Sequence, residues 1–281
     1  MLKKKINKKI LLIPAILFFL FLSFCVYIFI EPYRLEIEET DFYDEDIPAS
    51  FNNLKIVFFA DIHHGLFFSK TRVKKLVEKV NKMNPDIIFV GGDFVGNWLF
   101  EKPEYIEPCF AELKNLKAKY GVFGVLGNHD VWTDKILSLE ELEKSGIVYL
   151  GNKGQWLEMN GEKIKIGGVK DFYEGVQDTS EVFSDVDQND FSILLSHNPD
   201  YAEKIDNDKI DLVLAGHTHG GQITFFGLWA PATSSRYGQK YRTGLVDAPN
   251  TKVLVTNGVG SILPIRFFAR PQVNIINLKR K

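Results

Sequence analysis

Five short apolar segments of this 281-residue chain each end in a cluster of glycine and polar residues, and this repeated pattern limits its possible folds more than any other feature. The clearest case is residues 212–222, LVLAGHTHGGQ. Its apolar first part predicts a buried strand. His217 and His219 lie two positions apart, so in an extended chain they point to the same side. The glycines around them let the backbone turn sharply and come close to a ligand.

Helical patterns separate the apolar segments in the first half of the chain. The predicted strands span residues 55–60, 86–90, 122–126 and 147–150. The helical patterns run from Thr71 to an Asn84-Pro85 stop, over about 104–119 and over about 134–144. Such alternation predicts an α/β domain with a parallel, helix-covered sheet. A hairpin follows, because Asn160-Gly161 is a strong turn sequence between two short strands.

The amino terminus predicts a membrane anchor. Residues 10–30 are apolar and uncharged, which is long enough for a helix to cross a bilayer. Five lysines precede this run and acidic residues follow it, so we expect a cytoplasmic tail and an extracytoplasmic body in the cell membrane. The alternatives are a cleaved signal peptide and a lipoprotein signal. The run is longer than a typical signal core, no small-x-small cleavage site follows, and Phe24 disrupts a lipobox before Cys25.

The predicted organisation is a basic tail over 1–9, a transmembrane helix over 10–30, a short linker with the first strand over 31–50, and a folded domain over 51–281. The formal net charge of −2 includes the five lysines of the tail, so the rest of the chain carries −7. An acidic body argues against nucleic-acid binding, which needs a basic surface. Of the two cysteines, Cys25 lies in the apolar run, so Cys109 has no partner and the domain is expected to fold without a disulfide.

Carboxylate, imidazole and amide groups follow five predicted strands, over residues 55–60, 86–90, 122–126, 193–195 and 212–215, and all six histidines lie in the segments that end these strands. Ligand sites of open α/β sheets lie at the carboxyl ends of the strands, so we expect these groups to meet. Without a thiolate, the set suits Mn, Fe or Zn. Seven donors fit two ions that share a carboxylate, and such a pair clamps a phosphoryl oxygen and generates hydroxide. The candidate ligands are Asp61, His63, Asp93, Asn128, His197, His217 and His219.

These segments resemble the five motifs of the calcineurin-like metallophosphoesterases, in order, across residues 55–222. They are Asp61-x-His63, Gly91-Gly92-Asp93, Gly127-Asn128-His129-Asp130, His197 and Gly216-His217-Thr218-His219. The resemblance implies an αββα sandwich, in which two mixed sheets are flanked by helices, and two divalent cations, manganese in preference to zinc or iron. The anchor and the segments Gly258-Val259-Gly260 and Pro264-Ile265-Arg266 are similar to the membrane-anchored YkuE/YaeI-type bacterial branch.

The resemblance also implies a role for each group. By position, Asp61, His63 and His219 would hold one cation. Asn128, His197 and His217 would hold the other, and Asp93 would bridge the two.

His129 would protonate the leaving oxygen or stabilise the equatorial oxygen, as the same resemblance implies. Asp130 would orient His129; the alternative for Asp130 is to cap the following helix. His64 has no role in the motif, and we expect it near the ligands or on the surface.

Two further groups of residues are expected near the cleft. Aromatic residues form either an apolar rim, for a lipid substrate or a bilayer surface, or core packing under long loops. They are Phe67, Phe68, Trp98, Phe225, Phe226 and Trp229. Basic residues after the last motif either bind a phosphate distant from the scissile one or form a solvated turn. They are Arg236, Lys240 and Arg242.

The sequence therefore favours a membrane-anchored, metal-dependent phosphoric ester hydrolase. We expect it to cleave a phosphomonoester or phosphodiester by metal-hydroxide attack. In one form of this hypothesis the ester is linked to a lipid or to the cell envelope. Three alternatives remain open at this point. They are a nucleotide-lipid pyrophosphatase with a UDP-diacylglucosamine-like substrate, a protein Ser/Thr phosphatase of the same fold, and a non-catalytic metal-binding sensor.

Overall fold

The computed structural model describes residues 8–96 and 101–281 and contains four α-helices and twelve strands in that part of the chain. The helices are α1 (Lys8–Ile30), α2 (Lys70–Asn81), α3 (Ile106–Leu113) and α4 (Asn128–Lys144). The first six strands are β1 (Glu36–Asp44), β2 (Lys55–Phe59), β3 (Ile87–Val90), β4 (Val122–Gly124), β5 (Val148–Tyr149) and β6 (Lys153–Met159). The others are β7 (Glu162–Gly168), β8 (Ser192–Leu195), β9 (Leu212–Ala215), β10 (Gly244–Asp247), β11 (Lys252–Val255) and β12 (Gln272–Arg280).

These strands form two six-stranded sheets. The first has the order β1-β12-β2-β3-β4-β5, and the second has the order β10-β11-β9-β8-β7-β6. β2 to β5 are parallel, whereas β12 is antiparallel to β2. In the second sheet β7, β8, β9 and β11 are parallel, and β6 and β10 are antiparallel edges. The predicted pair of mixed sheets is confirmed, and so is the hairpin of β6 and β7.

Alternation along the central strands separates two apolar layers. In β2, Ile56 and Phe58 face the layer between the sheets, where they join residues of the second sheet such as Leu214. Val57 and Phe59 face the other way, into the layer formed with helices α2 to α4. The central strands are thus buried on both faces, as is usual for parallel strands covered on each side. This burial holds the strand ends in fixed positions.

Several elements differ in extent from their sequence patterns. α3 ends at Leu113, shorter than the pattern over 104–119. α4 begins at Asn128 instead of about 134, because a helical turn precedes a kink at Asp134, whose φ of −169° and ψ of 100° are not helical. The acidic run 41–46, whose composition alone would suit a solvated turn, belongs to β1 as far as Asp44. β1 is an edge strand, where exposed charges discourage pairing between molecules.

The apolar amino-terminal segment is helical. A candidate span over Leu12–Tyr33 contains an apolar stretch of 18 residues with a mean hydropathy of 2.7, and that stretch is not buried by the rest of the chain. By length and composition it is able to cross a membrane. After α1, a 3-10 helix (Glu31–Tyr33) leads into β1, which pairs with β12. The chain therefore joins the first sheet at Glu36, six residues after α1 ends and within the predicted linker.

Candidate metal centre

The structure brings all seven candidate ligands together at one edge of the two sheets. They follow the carboxyl ends of β2, β3, β4, β8 and β9, as the strand pattern predicts. Six of them are nearly or completely buried, and His217 is partly exposed. Charged and polar groups are rarely buried unless they are paired or bind a metal. This burial is the first indication of a binding site.

The backbone at the ligands is unusual. Five of the seven have positive φ, the left-handed region that costs non-glycine residues about 1–2 kcal/mol each. They are Asp61 (57°), His63 (47°), Asp93 (53°), His217 (69°) and His219 (52°). Conformations of this kind cluster at functional sites, where the surrounding fold enforces them. Here they turn the side chains at the strand ends into a common cavity.

The ligand atoms form two clusters that meet at Asp93. In the first, which comprises Asp61, His63 and His219, the ligand atoms lie within 4.8 Å of one another. The Nε2 atoms of His63 and His219 are 3.1 Å apart. In the second cluster, Nε2 of His197 lies 3.2 Å from Oδ2 of Asp93. The same oxygen of Asp93 is 3.7 Å from Nε2 of His63, so one carboxylate faces both groups.

Two further groups complete the second cluster. Nδ1 of His217 lies 3.2 Å from Nε2 of His197. The amide oxygen of Asn128 is also 3.2 Å from Nε2 of His197. Four donors from four different segments, Asp93 among them, thus meet beside His197.

Backbone carbonyls orient two of the imidazoles. Nδ1 of His63 donates to the carbonyl of Gly96, and Nδ1 of His197 donates to that of Gly91, each at 2.7 Å. A proton on Nδ1 leaves the lone pair of Nε2 free for a metal, and this is the usual arrangement of metal-binding histidines. In both residues Nε2 is the atom that faces the carboxylates. The donor set therefore fits two neighbouring divalent cations.

Burial controls the protonation of these groups. It lowers the pKa of His63 to about 4 and that of His217 to about 3, so both imidazoles are neutral at pH 7. It raises the pKa of Asp61 to about 7. Burial opposes the ionised form of Asp93 as well, but the positive charge of His197 outweighs it and holds the pKa of Asp93 below its ordinary value. Neutral imidazoles and carboxylates are the forms that bind cations, so a cation has to displace a proton from His197 and, below about pH 7, another from Asp61.

His129 and Asp130 have different partners. Nδ1 of His129 lies 2.7 Å from one carboxylate oxygen of Glu101, and the other oxygen of Glu101 accepts a hydrogen bond from Thr133. The carboxylate of Asp130 instead accepts from the backbone N–H groups of Gly127, at 2.9 Å, and Val95, at 3.1 Å. Asp130 thus caps α4, the alternative raised from the sequence, and the contact that orients His129 is made by Glu101.

Sequence reasoning missed Glu101 because it belongs to none of the five motifs. It lies eight residues after Asp93 and is the only acidic residue between Asp93 and Pro103. Its position as the single acidic residue of this stretch is the only sequence signal that could have suggested a role for Glu101. The fold, not the spacing, brings it to His129.

Two residues of the carboxyl-terminal third also support the site. The backbone of Gly258 has a φ of +68°, and a Cβ atom there would lie 2.6 Å from Cβ of Asp61. Arg266 is completely buried, and its guanidinium lies 3.3 Å from the carbonyl oxygen of His219 and 3.4 Å from Nδ1 of the same residue. The guanidinium also donates to carbonyls of the segment that contains Arg266, including that of Gly260 at 2.6 Å. Gly258 and Arg266 thus hold two candidate ligands, Asp61 and His219, in place from outside the cavity.

We predict that Gly258→Ala weakens metal binding by about tenfold or more, because the added methyl group displaces Asp61, and supporting contacts are worth about 10–100-fold. The matched control is Gly146→Ala, since Gly146 also has a positive φ, +80°, but nothing lies within 4 Å of its missing Cβ. Both variants carry a backbone cost of about 1–2 kcal/mol. Titration with Mn²⁺ should separate them, and equal affinity in the two would contradict the steric argument.

The predicted aromatic and basic residues divide into several environments. Phe68 is buried in the core, whereas Phe225, Phe226 and Trp229 are exposed. Phe67 is partly exposed and Trp98 lies outside the described residues.

Among the basic residues, Arg236 lines a cavity together with Asn128 and His217. Lys240 pairs with Glu203 at 2.5 Å. Arg242 donates to the carbonyls of Gly220 and Gly227 and so braces the intervening loop. Only Arg236 of the three thus reaches the space beside the clusters. His64 is buried, and its Nδ1 is bonded to the carbonyl of Phe68.

Comparison with known proteins agrees with this geometry. The profile of the family described as calcineurin-like phosphoesterase matches residues 54–221. The chain therefore belongs to the calcineurin-like phosphoesterases, as its five motifs predicted, and that family hydrolyses phosphoesters.

Individual relatives extend over more of the chain. The chain is 33% identical to the metallophosphoesterase YkuE of Bacillus subtilis over 258 residues, 89% of this chain and 88% of the relative. It is also 33% identical to a metallophosphoesterase of Aquifex aeolicus over 267 residues, 91% of this chain and 96% of the relative. Among solved structures, the NAD nucleotidase of Haemophilus influenzae has a TM-score of 0.48 at 17% identity, and the match covers 74% of this chain and 46% of that one.

Proposed function

We propose that the chain is a membrane-anchored phosphoesterase that works with two divalent cations, manganese in preference to zinc or iron, outside the cytoplasm. The observation that carries this proposal is the position of Asp93, whose carboxylate faces both clusters of buried ligands. Asp61, His63 and His219 would hold one cation, and Asn128, His197 and His217 the other. The apolar helix α1, preceded by a basic tail, supports the anchor and its orientation.

The cations, when bound, supply a nucleophile from water at neutral pH and neutralise charge on the phosphoryl oxygens. His129 faces the same cavity, of about 330 Å³, as Asp93 and His219. Burial opposes a charged imidazole, but Asp93 and Glu101 outweigh it and raise the pKa of His129 above its ordinary value. A protonated His129 is then able to donate to the leaving oxygen.

A second candidate function is hydrolysis of a nucleotide-lipid pyrophosphate. A cavity of about 290 Å³ adjoins the clusters, and its wall includes Trp132, Tyr173 and Arg236. Aromatic rings stack on bases, and a guanidinium pairs with a phosphate, so this cavity suits a nucleotide as leaving group. Product analysis distinguishes the candidates, because a pyrophosphatase releases two phosphomonoesters.

Metal removal tests the main proposal. The full chain in detergent, stripped with a chelator, should not hydrolyse chromogenic phosphomonoesters or phosphodiesters, and Mn²⁺ should restore turnover. A stripped chain that remains fully active, or a loaded chain inactive on every phosphoester offered, would argue against it. The second result would favour a metal-binding sensor.

Mn²⁺ affinity should also rise with pH. The pKa of Asp61 in the metal-free chain is about 7, and burial raises it, so below this pH a cation has to displace a proton. Affinity should therefore increase as pH rises through about 7, and it should go on rising above that pH because a cation also has to displace a proton from His197, whose pKa the neighbouring carboxylates raise well above its ordinary value. Calorimetry at pH 6 and pH 8, in buffers of different ionisation enthalpy, measures both affinity and proton release. Equal affinity without proton release at pH 6 would contradict the assignment of Asp61.

A further inference from the structure

A short loop beside the end of α1 exposes an unusual amount of apolar surface. Residues 223–229, termed here the apolar loop, include Phe225 at 65% exposure, Leu228 at 80% and Trp229 at 53%. Contiguous exposed apolar groups of this size are typical of surfaces that bind a partner or a membrane. None of these three side chains lines the cavities beside the metal clusters.

The apolar loop continues the surface of α1. The ring of Phe226 lies 5.2 Å from that of Phe268, and the ring of Phe268 lies 5.5 Å from that of Tyr27 in the helix. Phe267, next to it, lies 4.9 Å from Phe24 of α1. A continuous series of contacts between aromatic rings therefore connects the proposed transmembrane helix with the apolar loop. Aromatic rings are favoured at the boundary between bilayer and water.

Hydrogen bonds join the helix end to this region. The backbone N–H of Arg266 donates to the carbonyl of Ile28 at 3.0 Å. The carboxylate of Glu31 is completely buried and accepts from the N–H groups of Phe268, at 2.8 Å, and Ala269, at 2.9 Å. These bonds hold the domain in one orientation relative to α1. The apolar loop consequently lies at a fixed position beside the point where α1 ends.

The charge nearby matches a lipid surface. α2 carries five basic residues and one acidic residue. One of the five, Arg72, donates to the carbonyl of Pro32 at 2.8 Å and lies over the ring of Tyr33 at 4.7 Å, so α2 begins next to the end of α1. Basic side chains at this position attract the headgroups of anionic lipids.

The segment that contains Arg266 also contacts the candidate ligands. Arg266, whose backbone bonds to Ile28, contacts His219 with its guanidinium. His219 precedes Phe225 by six residues, so at most about 20 Å of extended chain separates them. Ile262, from the segment that leads to Arg266, lines the cavity of Asp93 and His129. The metal centre is therefore close to both the helix end and the apolar loop.

We propose that the apolar loop lies in the interfacial layer of the bilayer that α1 crosses, so that the metal centre opens at the level of the lipid headgroups. The partner is the surface of a bilayer that contains anionic lipids. As a consequence, the phosphoester hydrolysed belongs to a membrane lipid. This last step depends on the proposed function, whereas the position of the loop does not.

Depth measurement tests the position of the loop. Leu228→Cys and Val176→Cys, 80% and 81% exposed, are matched sites for an environment-sensitive fluorophore on the full chain in phosphatidylcholine/phosphatidylglycerol vesicles. Cys25→Ala removes the cysteine of α1, and Cys109 is buried. At position 228 we expect shorter-wavelength emission and quenching by nitroxide-labelled lipid, and at position 176 quenching by aqueous iodide. Iodide quenching of both probes would overturn the proposal and leave the loop to a protein partner.

Turnover tests the substrate. Phe225→Ser combined with Leu228→Ser should lower the ratio of phospholipid-monoester hydrolysis in vesicles to hydrolysis of a soluble chromogenic ester. Val176→Ser is the matched control and should leave the ratio unchanged. An unchanged ratio in the loop variant would refute the lipid substrate. A chain that is inactive on both esters, with its loop in the bilayer, would refute the proposed function and leave the docking surface intact.

Discussion

Asp93→Ala is expected to lose both cations and to lower kcat/KM by at least about 10³-fold, because removing one member of a group that acts as a unit removes most of its effect. Asp93 is the one carboxylate that belongs to both clusters around His63 and His197. Metal content by elemental analysis and hydrolysis of a chromogenic ester measure the two losses. We expect no other single ligand to empty both positions.

A milder change separates this effect from misfolding. Asp93→Asn keeps the shape of the side chain but removes the charge that draws in the cations. The matched control is Asp211→Asn, since Asp211 is a partly buried aspartate, bonded to the N–H of Ser192 at 2.7 Å, just before β9 and so at the opposite end of that strand from the site. Asp211→Asn should keep metal and activity. Full activity in Asp93→Asn would refute the bridging role.

His129→Ala should retain metal yet lose about 2–4 kcal/mol of transition-state stabilisation, or about 30–900-fold in kcat/KM. Its imidazole faces the cavity, but its partner in hydrogen bonding is Glu101, at 2.7 Å, rather than a ligand from the second cluster. The pH–rate profile of the variant should also lose the alkaline limb that belongs to His129. Loss of metal together with activity would show that His129 acts as a ligand instead.

Glu101→Gln examines the same group indirectly. Asp93 and Glu101 both raise the pKa of His129, so removing the charge of Glu101 lowers this pKa. The alkaline limb should then move to lower pH, with a smaller loss of rate than in His129→Ala. Glu104→Gln, an exposed residue of the same segment paired with Lys102, is the control and should not move the limb. An unmoved limb in Glu101→Gln would contradict the positioning role.

Much of the architecture was predictable because it depends on local patterns. Apolar runs that alternate with helical periodicity predicted β2, β3 and β4 and the helices beside them, since burial on both faces requires that composition. Asn160-Gly161 predicted the hairpin for a similar reason, the backbone geometry of its turn. Helix boundaries were less predictable. The first turn of α4 forms where Asp130 caps it, and its kink at Asp134 has no counterpart in apolar periodicity.

By itself, the sequence determined the family and the set of side chains that meet, because motifs at strand ends are carried to one edge by the topology of an α/β sheet. The pairing of Glu101 with His129, the support of Asp61 by Gly258 and the contact of Arg266 with His219 were decided by the tertiary structure. These contacts join segments far apart in the chain or outside any motif. Their geometry results from the packing of loops on the two sheets, which no local pattern records.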